Sequence, residues 1–271
     1  MSTSSIDERE YASPEVAVAG IGLWVPGFAS LAAWSVGARD PLVTAAKGDA
    51  LGKIHRRRAG PLGRALSDAS SEALRAAGVE MSAVPSVIGS ALGEASRLIR
   101  LLEQMWRGPE PMSPADFTLS VHNAAAGVMS IAAGNRGFTT SIAADHDTPA
   151  SALFEGIGLV VTENVPVLIV CGDEAAPAAL LSGEEAWGLA AAALVLVPHG
   201  SADDRLARIR LASPTSQAVE LALLPADIAR NPQAGMIELV AALGSGVDRV
   251  VRLDRGIGRG FRACIRSGSL R

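Results

Sequence analysis

The stretch from Phe117 to Glu174 limits the possible folds more than any other part of the chain. It reads FTLSVHNAAAGVMSIAAGNRGFTTSIAADHDTPASALFEGIGLVVTENVPVLIVCGDE. A polar turn leads into a small-residue helix over Ala124–Ala133, followed by a strand over Thr139–Ala144 and a tight turn. A second helix over Thr148–Thr162, with Pro149 in its first turn, then leads into a buried strand over Val165–Cys171. The turn between strand and helix carries Asp145, His146 and Asp147. A charged triplet at the mouth of an apolar α/β core needs a reason.

The flanking sequence continues the alternation. Val16 opens a strand, VAVAGIGLWVPG, that breaks at glycine and proline. Leu31–Val36 is a short helix, and Asp40–Lys53 has no clean period. Ala65, Ala69, Leu74 and Ala77 share one face of a helix over Leu62–Ala77, which Gly78 ends. A strand follows from Val84, then an amphipathic helix over Glu94–Trp106 with Leu98, Leu101, Leu102 and Met105 expected inward. Ser113-Pro114 has the form of a helix start. Leu189–Val197 is a near-continuous apolar strand, as in a covered sheet.

After Gly200 the texture changes: a strand over Leu206–Ala212, a helix over Pro232–Leu243, and a hairpin of Val247–Leu253 with Phe261–Ile265 around RGIGRG. The expected organisation is a flexible arm over 1–14, a main domain over 15–200 and a short αβ extension over 201–271. The element order predicts an α/β layered fold with a mostly parallel sheet. No GxGxxG follows the first strand, and Gly89-Ser90-Ala91-Leu92-Gly93 puts its serine one place too early for a nucleophile elbow.

A formal charge of −4 over 271 residues argues against nucleic acid, and His55-Arg56-Arg57-Arg58 is too short a basic run to reverse that. No apolar run is long enough to span a bilayer, and no signal-peptide pattern opens the chain, so the cytoplasm is the simplest address. Two cysteines, Cys171 and Cys264, make neither a disulfide framework nor a metal motif, and Cys171 reads as an inert core thiol.

His146 stands at a strand-to-helix junction, where free backbone N–H groups favour anions. Asp145 and Asp147 are placed to fix its tautomer, and Asp147 or Thr148 to cap the helix. A structural cluster, a binding role and acid–base catalysis all stay open at this point. Adjacent side chains diverge in extended chain, so Asp145, His146 and Asp147 with His122 make a poor metal set. His122-Asn123 precedes the small-residue helix, where a histidine most simply binds a loop carbonyl while remaining within reach of a shared cavity.

SVHNAAAGVMSIAAGNRGFTTSIAADHDTPASALFEGIGLVV, followed by VPVLIVCGDEA, resembles the β-ketoacyl synthase-like family. Within it, the chain is similar to short chain-length-factor-like subunits of aryl-polyene-type fatty acid and polyketide systems. GLWVPGFASLAAW and ASRLIRLLEQMWRG fit the same group, and the likeness runs over about residues 16–198. The resemblance implies a thiolase-like fold, the ketosynthase N-terminal half, built as layered αβαβα. It places His146 where the nucleophilic cysteine of an active ketosynthase stands. It also implies that the histidines of a full second half are missing, and His199 matches neither of their motifs.

A chain without the thiol forms no acyl-enzyme. The resemblance therefore implies a non-catalytic subunit that pairs with a full-length β-ketoacyl synthase and helps shape its acyl tunnel. Acyl carrier protein is a further candidate partner, and whether the isolated chain forms a homodimer stays open. No cofactor and no metal are expected. Across the implied dimer axis, Thr139, Thr140, Ser141 and Ile142 would pair, and Ala126 and Gly127 would line the interface. Asp145, Asp147, His122 and Asn123 would orient or line a cavity. The competing expectations are a malonyl-thioester decarboxylase or hydrolase using His146, and a scaffold with no acyl contact.

Overall fold

A computed structural model describes residues 12–108, 111–181, 183–200, 206–214 and 219–268. Most of the expected N-terminal arm, residues 1–11, lies outside them. In chain order the main elements are β1 (Val16–Trp24), α1 (Leu31–Ser35), α2 (Gly52–Arg58), α3 (Pro61–Ala77), β2 (Ser86–Gly89), α4 (Ala95–Arg107), α5 (Pro114–Thr118) and α6 (Ala124–Ala133). β3 (Thr139–Ile142), α7 (Thr148–Glu163), β4 (Val167–Asp173), β5 (Ala190–Val197), β6 (Ala207–Ala212), α8 (Ala226–Ala229), α9 (Ala234–Ser245), β7 (Arg249–Arg252) and β8 (Arg262–Ser267) follow.

The eight strands of the described residues join one sheet in the order β3-β2-β4-β5-β1-β6-β8-β7. Side chains alternate between two cores, one on each face. Val167, Ile169 and Cys171 of β4 enter the core that also receives α7 and α9. Leu168 and Val170 enter the opposite core, with α3 and α6. This two-sided cover explains why β4 and β5 read as continuous apolar runs: every residue of both strands is buried.

The α/β class is borne out, but the sheet is mixed rather than mostly parallel. Only β2–β3 and β2–β4 are parallel; the other five pairings are antiparallel. Apolar runs report burial on both faces, and here they belong to antiparallel strands covered twice. Among the described residues the layers are helix, sheet, helix, so the expected five-layer αβαβα stacking reduces to three. The strands after residue 200 extend the same sheet, β6 pairing with β1 and β8 with β6. Ala12 bridges to Ala212, and the Ser13 N–H donates to Leu211 O at 2.8 Å.

α3 lies flush on β1. Ala65, Ala69, Ala73 and Ala77 repeat every fourth residue and are all buried. Their backbone comes so close to the strand that a Cβ at Gly20 would sit 2.1 Å from Ala73 O, and one at Gly22 would sit 2.2 Å from Ala69 O. The helix ends at Gly78, whose φ of 70° is left-handed.

Candidate functional site

The turn before α7 closes as one short helical turn over Asp145–Asp147. Thr148 is fully buried. Its hydroxyl donates to Asp145 O at 2.7 Å and accepts from the Ala144 N–H at 2.9 Å. Those bonds hold Asp145 at a left-handed φ of 50°. The two carboxylates diverge. Asp147 accepts the backbone N–H of Arg259 at 2.9 Å, with Arg259 Nε 3.8 Å from its other oxygen. Asp145 is 83% exposed, and its Oδ1 lies 4.0 Å from His146 Nε2, beyond hydrogen-bond length. The His146 side chain is 17% exposed. So Asp147, expected as an orienting partner of that ring, serves the turn between β7 and β8 instead.

His122 fulfils its simpler expectation: Nε2–H donates to Ser90 O at 2.7 Å. Asn123 precedes α6, is exposed, and makes no side-chain bond to the helix. Two clefts open elsewhere. An apolar one of about 450 Å³ lies between α7 and the end of β6, and a polar one of about 720 Å³ lies beside α3. None of the expected site residues lines either. Cys171 is wholly buried in β4, and burial pushes its thiol far up, which keeps it protonated and inert. Among the described residues no group of three or more His, Cys, Asp or Glu is arranged to hold a metal ion, and no helix is long and apolar enough to cross a membrane.

α6 and β3 present an outer surface. Ala126 is buried in the chain's own core, whereas Gly127 is exposed and a Cβ there would meet nothing within 4 Å. Ile131, one turn on, is also exposed. Among the described residues β3 is the sheet edge, paired only with β2, and all four of its residues are part-exposed.

α4 departs furthest from expectation. Of its 13 residues only Ala95 and Leu101 are buried. Leu98, Leu102 and Met105, expected inward, are exposed, and Trp106 is 91% exposed. These four fall on one helical face, because the spacing that makes a helix amphipathic does not say what covers it.

Sequence reasoning missed a polar hub at the end of β4. Asp173 is fully buried and accepts the Ser90 hydroxyl at 2.6 Å, the Ala91 and Leu92 N–H groups at 3.0 Å each, and Gln233 Nε2 at 2.7 Å. Burial pushes its carboxyl above the ordinary range, against the donors that hold it down. The next residue, Glu174, accepts the Ser96 N–H at 2.5 Å. Burial also raises the carboxyls of Glu174 and Glu94, and Glu94 is raised further by the negative charge of Glu174. The only sequence signal was an acidic pair closing an apolar run.

A mixed sheet sandwiched by helices, with a strand-turn-helix junction leading into α7, defines a layered α/β protein. The description "Beta-ketoacyl synthase, N-terminal domain" matches residues 32–252, and the chain belongs to that family. One chain of the ketosynthase ApeO in complex with its chain length factor ApeC, from Xenorhabdus doucetiae, shares 20% identity at a TM-score of 0.68. That match covers 93% of this chain and 99% of the other. The ishigamide ketosynthase/chain length factor gives 17% identity and a TM-score of 0.61, over 93% of this chain and 98% of the other. The AntDE:AntF structure, a type II polyketide synthase acyl-carrier protein in complex with its ketosynthase, gives 13% and 0.64, over 94% and 99%. Identities at this level establish a common fold. No curated protein matches the chain.

Proposed function

We propose that this chain is a non-catalytic, chain-length-factor-like subunit. It pairs with a full-length, cysteine-bearing β-ketoacyl synthase and helps shape the acyl tunnel of that enzyme, in cytoplasmic fatty acid or polyketide synthesis of the aryl-polyene kind. The observation that carries the reading is the start of α7, where Asp145, His146 and Asp147 stand and no thiol does. Condensation by a ketosynthase requires a thiolate that takes the acyl group and later releases it. Neither cysteine supplies one there: Cys171 is sealed in β4, and Cys264 lies in β8.

The outer surfaces support the pairing. Gly127 and Ile131 on α6, the edge strand β3 and the apolar face of α4 are left uncovered by the described residues. An edge strand with open N–H and C=O groups is a template for a second chain, and a run of exposed Leu, Met and Trp marks an interaction surface. On this reading Thr139–Ile142 pair across the dimer axis, His146 holds the place of the absent nucleophile, and His122 and Asn123 support the loops around it. Acyl carrier protein then delivers its cargo to the partner's cysteine. When the partner is missing, a homodimer can use the same surfaces.

Co-expression with a cysteine-bearing ketosynthase tests this. The two chains should co-purify, and product length should change when this subunit is varied. Full condensing activity of the ketosynthase with unchanged products in the absence of this chain would contradict it.

A further inference from the structure

α4 has almost no packing of its own to fix its direction, since only Ala95 and Leu101 are buried. Polar contacts do much of that work: Arg97 and Arg100 reach Asp116 of α5, Arg97 also donates to Arg58 O, and further anchors stand at the first turn and in the loop before it. The residue preceding the helix, Glu94, makes no side-chain cap bond to it. Its carboxylate lies against the start of α3, so close that a Cβ at Gly60 would be 2.1 Å from Glu94 Oε2. The free N–H of Ser96, in the first turn, is satisfied by Glu174, the residue just past β4. The loop before the helix is pinned by Asp173, which takes three donors from Ser90, Ala91 and Leu92. Its remaining donor, Gln233, joins the same carboxylate to the start of α9, and Gln233 is held in turn by Asn231 Oδ1 at 2.8 Å.

We propose that the adjacent carboxylates of Asp173 and Glu174 are positioning residues for assembly. They hold α4 in the pose that presents Leu98, Leu102, Met105 and Trp106 to the partner subunit. This rests on α4 being part of the partner surface, as read above. The geometry favours such a role over a general stabilising one. Both side chains act on the segment leading into α4, the helix whose exposed face would be buried on assembly. A wobble at the first turn is carried along a helix whose other polar ties, Arg97 and Arg100 to Asp116 and Arg97 to Arg58 O, leave its apolar face open. Glu174 works as a remote cap: its oxygen, rather than its charge alone, is what Ser96 requires.

The test uses the full chain, with Glu174→Ala, Glu174→Gln and Leu102→Glu compared. Amide hydrogen exchange over residues 95–107 is read against α3 in the isolated chain, and affinity is read with a co-purifying cysteine-bearing ketosynthase as the probe. Glu174→Ala should speed exchange in α4 while α3 is unchanged, and should weaken assembly about tenfold, the scale of one charge-assisted hydrogen bond. Glu174→Gln keeps an acceptor oxygen and should restore most of both. Leu102→Glu should abolish assembly without changing exchange at the first turn of α4. If Leu102→Glu breaks assembly but Glu174→Ala alters neither exchange nor affinity, the positioning role is wrong and the partner surface stands. If Leu102→Glu leaves assembly intact, α4 is not the partner surface and both fall.

Discussion

The carboxylate of Asp147 accepts the backbone N–H of Arg259 at 2.9 Å, across 112 residues of sequence. The turn between β7 and β8 is thereby fastened to the start of α7. A Cβ at Gly258 would lie 2.5 Å from Asp147 Oδ1, so the turn closes on this carboxylate with no room to spare. Asp147→Ala should leave the Arg259 N–H without its partner and loosen that turn. We expect a loss of about 1–2 kcal/mol in urea unfolding, with hydrogen exchange rising over residues 254–260 and unchanged in β4.

Gly127 separates folding from assembly. No atom lies within 4 Å of a Cβ built there, so Gly127→Leu should fold as well as the parent, or better by up to about 1 kcal/mol from helix propensity alone. At an interface the same side chain overpacks, at about 1–3 kcal/mol. Size-exclusion chromatography with the partner ketosynthase should show weakened assembly. Normal assembly of a normally folded variant would move the interface away from α6.

Among the described residues His146 makes no hydrogen bond that fixes its ring, and its nearest carboxylate is 4.0 Å away. His146→Ala should therefore leave the turnover of an assembled complex within a few-fold, with either a small loss of stability or a shift in product length. A catalytic base would cost about 10²-fold or more. Turnover falling on that scale, with folding and assembly intact, would revive the decarboxylase or hydrolase reading.

Acid should stabilise this chain before it harms it. Burial raises the carboxyls of Asp68, Glu94, Asp173 and Glu174 above their unfolded values. The folded chain then binds protons at a pH where the unfolded chain does not, so stability rises as pH falls through the raised values and levels off near the unfolded ones, 3.8 and 4.5. Asp254 has the opposite sign. Burial opposes ionisation, but Arg252 and the N–H groups of Gly256 and Gly260 hold its carboxyl below 3.8. Its contribution is lost as pH falls through that lowered value. Thermal unfolding between neutral pH and about pH 4 should show the rise, and Glu94→Gln should reduce it. A melting temperature that falls steadily from neutrality would contradict the assignment.

The sequence showed most of the elements, because periodicity and caps are local. Alanine spacing placed α3, Gly78 ended it in the left-handed region, and Ser113 caps α5 by accepting the Asp116 N–H at 3.3 Å. Strand direction was not legible: β5 is apolar throughout, and β4 up to Asp173, whichever way their neighbours run. Nor was the fate of α4, since an apolar stripe looks the same facing a core or a partner. The hub at Asp173 was hidden for a different reason. Its side-chain partners Gln233 and Ser90 stand 60 and 83 residues away, and each alone reads as an ordinary polar residue in a loop.

The most direct test of the central claim is intact-protein mass spectrometry. The purified chain, alone and in complex with a cysteine-bearing ketosynthase, is incubated with acyl and malonyl carrier-protein thioesters. The account predicts that acyl mass appears only on the partner, that this chain keeps its unmodified mass, and that it forms no condensation product alone. A stable acyl adduct on this chain, or condensation by it without the partner, would contradict the account.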